Sequence, residues 1–391
     1  MLKKLSAFFS KEYAILSVYV LASIGIALQH YRGGPDKYNN FVIFRSSVLH
    51  LLHHQNLHLE YPDEYFDLFL YHPSFCILFS PFAFLPVSVS IVLWAIACSL
   101  AVFYAIKCLP VSYKSKCFLW WFILVELTTS LHSQQTNPLI AALGLFTFTF
   151  LEKQKPKWAA LFPILAFCIK GYGLIFAAMF IFYPKKGQYI LYSLIWLLVL
   201  TILPFPITGT GHFVQVYQDW FDILLADHKN NFGFSVMGLF KVWNPNLTDA
   251  DVTRIQLAGL LLLATTWTLN LIKNTFADES RRMLLLAYLF LWVILFNHAS
   301  ESPTYVIAVT GAALFYIVNR DFVKPWPTVL IVLVLFFSML APTDVYPPSW
   351  RNEFFKPYLI KVIPCLLVWA VVQFELLFIY EKQPALSSTQ Y

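Results

Sequence analysis

An all-α integral membrane protein with many spans is the fold class this sequence predicts, and three observations carry the prediction. Of its 391 residues 59% are hydrophobic and only 12% charged, about half the roughly 25% usual in soluble domains. The deficit runs the whole length, with apolar stretches recurring from Tyr13 to Phe378. The basic residues gather in alternate connections between those stretches, which is topology information in a membrane protein. The expectation is one membrane domain over 1–391, a bundle of about 11–13 transmembrane helices.

Composition excludes other classes. With 38 Phe, 12 Trp and only 13 Gly the chain is neither collagen-like nor disordered. A net charge of +6 reflects the basic loops and implies no nucleic-acid partner. The six cysteines lie in or beside apolar runs without CxxC spacing, as small core residues do.

The first span is 12–29. Lys3, Lys4 and Lys11 flank it and no small-x-small cleavage site follows, so it reads as a span and not a signal peptide. A polar loop, 30–73, comes next. Within it, residues 39–54 place Phe41, Phe44, Val48, Leu51 and Leu52 at helical spacing, predicting an amphipathic helix on the membrane surface. The stretch FLYHPSFCILFSPFAFLP (69–86) has an aromatic-proline start, an apolar run and a proline exit. It predicts a helix that begins at the membrane surface and leads the polar loop down toward the bilayer.

Further apolar stretches fall at 87–106, 117–131, 138–151, 158–169, 172–183, 189–206, 255–272, 283–296, 304–318, 327–341 and 358–380, leaving 381–391 as a tail. Lys107, Lys114 and Lys116 share one connection, Lys153, Lys155 and Lys157 another, and Lys185 and Lys186 a third. Lys273, Arg281 and Arg282 follow, then Arg320 and Lys324. With these and both termini in the cytoplasm the spans alternate consistently. The outside then holds 29–73, 132–138, 207–254, 297–303 and 343–357, the segments rich in His, Asn, Gln, Trp and carboxylates. Polar chemistry is expected on that outer face. Both ends of 158–183 are basic, so a hairpin fits better than one crossing. Each half, about 12 residues or roughly 18 Å, is short for a core of roughly 30 Å. KGYG (170–173) marks the break and puts Lys170 at its tip, as broken backbone lining a polar cavity would.

Several residues are candidates for chemistry, each with a plainer alternative. Lys170 between two apolar runs either meets an anion such as a lipid phosphate or snorkels to the interface. Asp36, Glu60, Asp63, Glu64 and Asp67 crowd the first outer loop. One of them can serve as a general base, or all are merely solvated; Asp67 stands out because the membrane helix follows it directly. His50, His54 and His58 recur every four residues, with His53 beside them, which suits zinc or a polar interfacial face. No cysteine or fixed acid completes a metal set. Asn297, His298 and Glu301 lie at the outer junction of two spans, and Glu301 is either a helix-start charge or part of a polar site. Glu126 and Glu375 are intramembrane acids that are protonated, paired or relaying protons. Gln135 and Asn137, with Asn231 and Ser235 in the run 230–235, offer neutral hydrogen bonds of the kind sugars need; loop turns use the same residues.

Four motifs then fall in order. YHPSFCILFSPFAFLP (71–86) is similar to the tyrosine-proline motif that ends the first outer loop of family-87 glycosyltransferases. SQQTNPLIAALGL (133–145) resembles that family's Gln-x-Asn-Pro segment, WAALFPILAFCIKGYGLIFAAMF (158–180) its segment with a lysine followed by aromatic and small residues, and NNFGFSVMGLF (230–240) its Asn/Ser/Gly region. The resemblance runs from about residue 12 to about residue 318 and implies a GT-C-like bundle in a bacterial plasma membrane. It implies transfer of one mannosyl- or arabinofuranosyl-type sugar from a polyprenyl-phosphate donor to an extracytoplasmic glycan or lipid, with inversion and no cofactor. An acid of the first outer loop would take the acceptor's proton and Lys170 would meet the donor phosphate. Asn40, Tyr71, Gln135, Asn137, Asn231, Ser235, Asn297 and His298 would hold substrate. One departure is informative. Where the family has an Asp-aromatic pair this chain reads Asn39-Asn40-Phe41, and an asparagine cannot accept a proton. The replacement bases, in order, are Asp67, Asp36 and Glu301. The opposing class is a transporter or flippase; an altered, non-enzymatic family member is a third reading. The long first outer loop, the one-sided polar residues and the lack of a visible inverted repeat favour the enzyme.

Overall fold

The computed structural model describes residues 8–226, 232–320 and 325–379, and all regular structure among them is helical. The polytopic all-α expectation is met. The tail 381–391, Lys3, Lys4, Lys324 and Asn231 lie outside the described residues. The chain divides into two compact units, 1–108 with 128–228, and 109–127 with 229–391.

The first unit opens with α1 (Glu12–Arg32), a 3-10 turn (Pro35–Tyr38), α2 (Asn39–Leu52), α3 (Ser74–Ala83) and α4 (Val87–Cys108). Ser23 and Ser99 hydroxyls lie 2.6 Å apart between α1 and α4, and the Tyr19 and Phe103 rings meet edge to face at 5.6 Å. The apolar stripe of α2 is real, but it faces protein. Phe41 lies against Phe79, and Phe44 against Phe75, Phe79 and Trp94 at 5.2–5.8 Å. Arg45 Nε donates to the Ala83 carbonyl at 3.0 Å, capping α3. Because α2 ends at Leu52 and His54 has φ 54°, the histidine series leaves the helix after His50. The expected helix over 39–54 is that much shorter, and the three rings do not share one helical face.

Next come α5 (Tyr113–His132), which contributes residues to both units, α6 (Asn137–Glu152) and α7 (Pro156–Ile169). A 12-residue 3-10 helix, Gly171–Phe182, follows Lys170, whose backbone is extended (φ −143°, ψ 119°). The break expected at 170–173 is present. Its second half is wound more tightly, so at roughly 2.0 Å per residue it spans about 24 Å. The two halves touch at Gly173, where a β-carbon would come within 2.6 Å of the Ala166 β-carbon. Then α8 (Lys186–Ile202) and α9 (Phe205–Ala226) meet at 92°. The sequence predicts a loop over 207–254, whereas α9 and two further helices occupy much of it. In α9 Gln215, Asp219 and Asp222 interrupt the apolar residues, so no continuous run announces the helix.

The second unit continues with α10 (Val236–Trp243), α11 (Asp249–Ile272), α12 (Glu279–Leu295), α13 (Tyr305–Asn319), α14 (Trp326–Leu333) and α15 (Val362–Phe378). A capping box starts α11: Thr248 Oγ1 accepts from Asp251 N at 3.3 Å, and Asp251 Oδ2 accepts from Thr248 N at 3.0 Å. The core is α12 on α13, with every residue of 283–291 buried and only Tyr316 of α13 less than buried. Leu359, at φ 51°, breaks the expected 358–380 stretch so that α15 begins at Val362. Arg281 crosses to the end of α15 and donates to the carbonyls of Glu375 (2.9 Å), Leu376 (2.5 Å) and Ile379 (2.8 Å), as a cation at a helix C-terminus should.

Among the described residues four helices are long and apolar enough to cross a membrane singly, and the bent α8–α9 pair makes a fifth candidate. The expected count of spans also included the shorter apolar helices.

Candidate functional site

Each unit gathers part of the polar chemistry. In the first, segments 30–40, 66–72, 132–137 and 168–170 converge. Asn39, at the start of α2, is clasped to Phe66: its Nδ2 donates to the Phe66 carbonyl, and its Oδ1 accepts from the Phe66 amide at 3.0 Å. That clasp sets Asp67, the next residue, beside the N-terminus of α2. Asp67 has φ 93°, its carboxylate accepts from Leu68 N at 2.8 Å, and it is exposed. A positive φ is uncommon outside glycine. Asn40 Nδ2 donates to the Ser133 carbonyl at 2.8 Å, tying the same helix start to the 132–138 segment. Asp36 is exposed in the 3-10 turn.

Two histidines that the sequence reading passed over join this cluster. His30 Nδ1 lies 2.7 Å from the Lys37 carbonyl, and His30 Nε2 lies 2.8 Å from His132 Nδ1. A carbonyl only accepts, so Nδ1 of His30 carries hydrogen; with His30 neutral, His132 Nδ1 donates to its Nε2. Gln134 was also missed. It is 1% exposed, has φ 49°, and neither atom of its amide has a hydrogen-bond partner. Neighbouring Asn137 donates through Nδ2 to Gln135 Oε1, while its own Oδ1 is buried without a partner. Buried amides left open in this way normally have a partner. The signal was the pair Gln134-Gln135 itself, which spacing alone does not rank.

Tyr71 closes one side, its hydroxyl 3.4 Å from Thr136 Oγ1 and its ring stacked on Phe75 at 4.7 Å. The next residue links to the lysine segment, since His72 N donates to the Cys168 carbonyl at 3.2 Å, two residues before Lys170. Lys170 is half-buried, with Nζ 6.0 Å from the Tyr172 ring centre. Burial holds the His72 imidazole down to about 4, and its Nδ1 lies 2.7 Å from Ser74 Oγ. Two further histidines of the loop are otherwise engaged. His50 Nε2 meets Glu64 Oε1 at 3.1 Å, and His58 Nδ1 meets the Phe69 carbonyl at 2.6 Å. Burial works to raise the Glu64 carboxyl, but hydrogen bonds from His50 and Ser46 outweigh it and hold the group below its usual range. Among the described residues no cluster of metal-ligating side chains forms.

In the second unit 232–235, 297–302 and 341–361 come together. Phe234 N donates to the Ser300 carbonyl at 2.7 Å and Tyr305 Oη to the Phe234 carbonyl at 2.8 Å. Gly233, at φ 46°, approaches so closely that a β-carbon would lie 2.0 Å from the Ser300 carbonyl oxygen. Ser235 caps α10 by accepting from Gly238 N at 3.1 Å. Asn297 Oδ1 accepts from Ala299 N at 3.1 Å, His298 is half-buried, and Glu301 is exposed. Behind them Lys361, 3% exposed, donates to Glu126 Oε1 at 2.6 Å and Ser302 Oγ at 3.1 Å. Glu375 accepts from Asn319 Nδ2 at 3.2 Å. Glu126 and Glu375 thus each have a hydrogen-bond partner.

A helical membrane protein whose polar residues collect into clusters rich in amides, carboxylates and aromatic rings has the makings of a membrane enzyme acting on hydroxyl-bearing substrates. The model of glycosyltransferase family 87 matches residues 69–319, well over half of the chain, and the protein belongs to that family. It is a glycosyltransferase of the membrane. No curated protein matches it. The matched region begins just after Asp67 and ends before the 341–361 segment.

Proposed function

We propose that the protein moves one sugar from a polyprenyl-phosphate-sugar donor to a glycan or lipid acceptor on the outer face of a bacterial plasma membrane, with inversion and without a cofactor. Both termini lie in the cytoplasm. Asp67 takes the acceptor hydroxyl's proton as that oxygen attacks the anomeric carbon and the bond to the lipid phosphate breaks. Lys170 meets the departing phosphate, where charge develops. Asn40, Tyr71, Gln135 and Asn137 bind hydroxyls, as do Ser235, Asn297, His298 and Asn231 of the other segments. Asp36 and Glu301 are the second and third choices for the base.

The observation that carries this reading is the clasp between Asn39 and Phe66. The resemblance expects an acid at the start of α2, where this chain has asparagine, and the contact of Asn39 with Phe66 joins that start to the residue before Asp67, which supports Asp67 as the replacement base. The positive φ of Asp67 supports a functional constraint, since such backbone concentrates at active sites. The test is mass spectrometry of envelope glycans and lipids after deletion of the protein. One species should lose a single sugar; an unchanged profile contradicts the proposal.

A further inference from the structure

We infer that a crevice between two basic connections of the first unit binds the phosphate of an anionic phospholipid headgroup; nothing in this depends on sugar transfer. The connections are 152–157, between α6 and α7, and 183–186, before α8. The charge pattern puts both inside, so the crevice faces the inner leaflet. Lys185 Nζ lies 3.5 Å from the Gln154 carbonyl, and Tyr183 Oη donates to Glu152 Oε1 at 2.6 Å. Lys155 and Lys185 line the crevice, and among the described residues no carboxylate does.

The helix starts around it carry the wrong charge for their position. Lys155 is the N-cap of α7 and Lys185 that of α8, and neither helix has a side-chain cap. An N-cap is ordinarily Ser, Thr, Asp or Asn, whose oxygen accepts from the first amides; a lysine has no acceptor to offer. Each helix start already holds partial positive charge, so the lysines add like to like, and an anion relieves both. The independent sign of a ligand is Tyr189, in the first turn of α8. It is 2% exposed and lines the crevice, yet its hydroxyl has no hydrogen-bond partner. Buried hydroxyls normally have one. The Tyr189 ring is held by Phe180, stacked on it at 4.8 Å. The crevice measures about 10 Å³, about the room one oxygen needs. One phosphate oxygen enters toward the Tyr189 hydroxyl, while the others meet Lys155, Lys185 and the first amides of α8.

A lipid fits what surrounds the crevice better than a free ion does. Leu191, Leu194, Leu198 and Ile202 form an exposed stripe along α8, the helix that starts there. Trp158 and Trp196 stack at 6.4 Å, Trp196 Nε1 donates to the Lys157 carbonyl at 2.8 Å, and Lys157 Nζ lies 5.4 Å from the Trp158 ring centre. Tryptophans mark the membrane–water interface, and lysines at that level attract anionic lipids. A headgroup held in the crevice lays its chains along the α8 stripe.

The test titrates the delipidated full chain in detergent, at physiological salt, with dioctanoyl phosphatidylglycerol or dioctanoyl phosphatidylcholine, and reads binding by native mass spectrometry. Phosphatidylglycerol should bind about tenfold more tightly than phosphatidylcholine, whose choline the lysines repel. Lys155→Gln/Lys185→Gln should lose about tenfold or more of the phosphatidylglycerol affinity, and Tyr189→Phe about tenfold, the scale of one hydrogen bond to a charged group. Without lipid the double variant should unfold at no lower temperature than wild type, because like charges at two helix starts are gone. Lys153→Gln/Lys157→Gln removes two charges from the same connection outside the crevice and should lose far less, since salt screens exposed charges. Equal losses in the two double variants reduce the patch to general surface charge and overturn the inference, as does full affinity in Tyr189→Phe. Displacement of phosphatidylglycerol by an equal concentration of inorganic phosphate makes the ligand a soluble anion and overturns the lipid assignment.

Discussion

Asn39 holds both backbone polar groups of Phe66, its amide nitrogen donating to the carbonyl and its amide oxygen accepting from the N–H. One side chain thus substitutes for a strand-like partner and joins the start of α2 to the end of the first polar loop. Its neighbour Asn40 is tied to Ser133, so both asparagines at the start of α2 make structural contacts. Replacing Asn39 with Ala leaves the Phe66 groups without their partner. If the clasp positions Asp67, transfer in Asn39→Ala should fall with kcat and leave donor KM nearly unchanged, and steady-state kinetics in membrane vesicles reads that split.

The Lys361–Glu126 pair is buried on both sides, at 3% and 0% side-chain exposure. Breaking such a pair typically costs about 3–5 kcal/mol, whereas replacing both members by apolar residues is often neutral. Glu126→Leu should therefore unfold at much lower temperature in detergent, and Glu126→Leu/Lys361→Met should recover most of the loss. A double variant no more stable than the single one contradicts the pairing.

Gly233 combines a positive φ with contact against the Ser300 carbonyl. Alanine there meets both a strained backbone and a steric clash, so Gly233→Ala should displace the 232–235 segment. Its expected signature is faster proteolysis around Ser235, while alanine at exposed Gly187, with open space around it, changes nothing measurable.

His72 gives a pH dependence of stability. Burial lowers its imidazole to about 4 from 6.5. Above 6.5 the ring is neutral in folded and unfolded chains alike. Between 6.5 and 4 only the unfolded chain takes up the proton, so stability falls as pH falls, by about 3 kcal/mol at most from this group. His58, lowered chiefly by burial, adds in the same direction. His72→Gln should flatten the slope of unfolding temperature against pH across that window; a slope as steep as wild type assigns the dependence to other groups.

Much of this was legible in the sequence because apolar length and proline placement act locally. Pro73 and Pro86 bracket α3, and the KGYG break falls where α7 gives way to the 3-10 helix. The helix α9 was not legible, since its polar residues dilute the apolar signal and its burial is tertiary. Asp67 was legible as a candidate from its place before α3, but the contact from Asn39, 27 residues away, was not. Gln134 and the His30–His132 pair were hidden for the same reason, being defined by contacts across the fold.

The most direct test of the account is the rate of sugar transfer by Asp67→Asn in membrane vesicles. Removing a general base typically costs about 10²–10⁴-fold, so the variant should lose transfer on that scale while still binding donor. Asn40→Asp placed in the same chain should restore part of the rate, because it puts an acid at the start of α2. Full activity in Asp67→Asn, or no recovery on adding Asn40→Asp together with inactivation by Glu301→Gln, would contradict the assignment of the base to this loop.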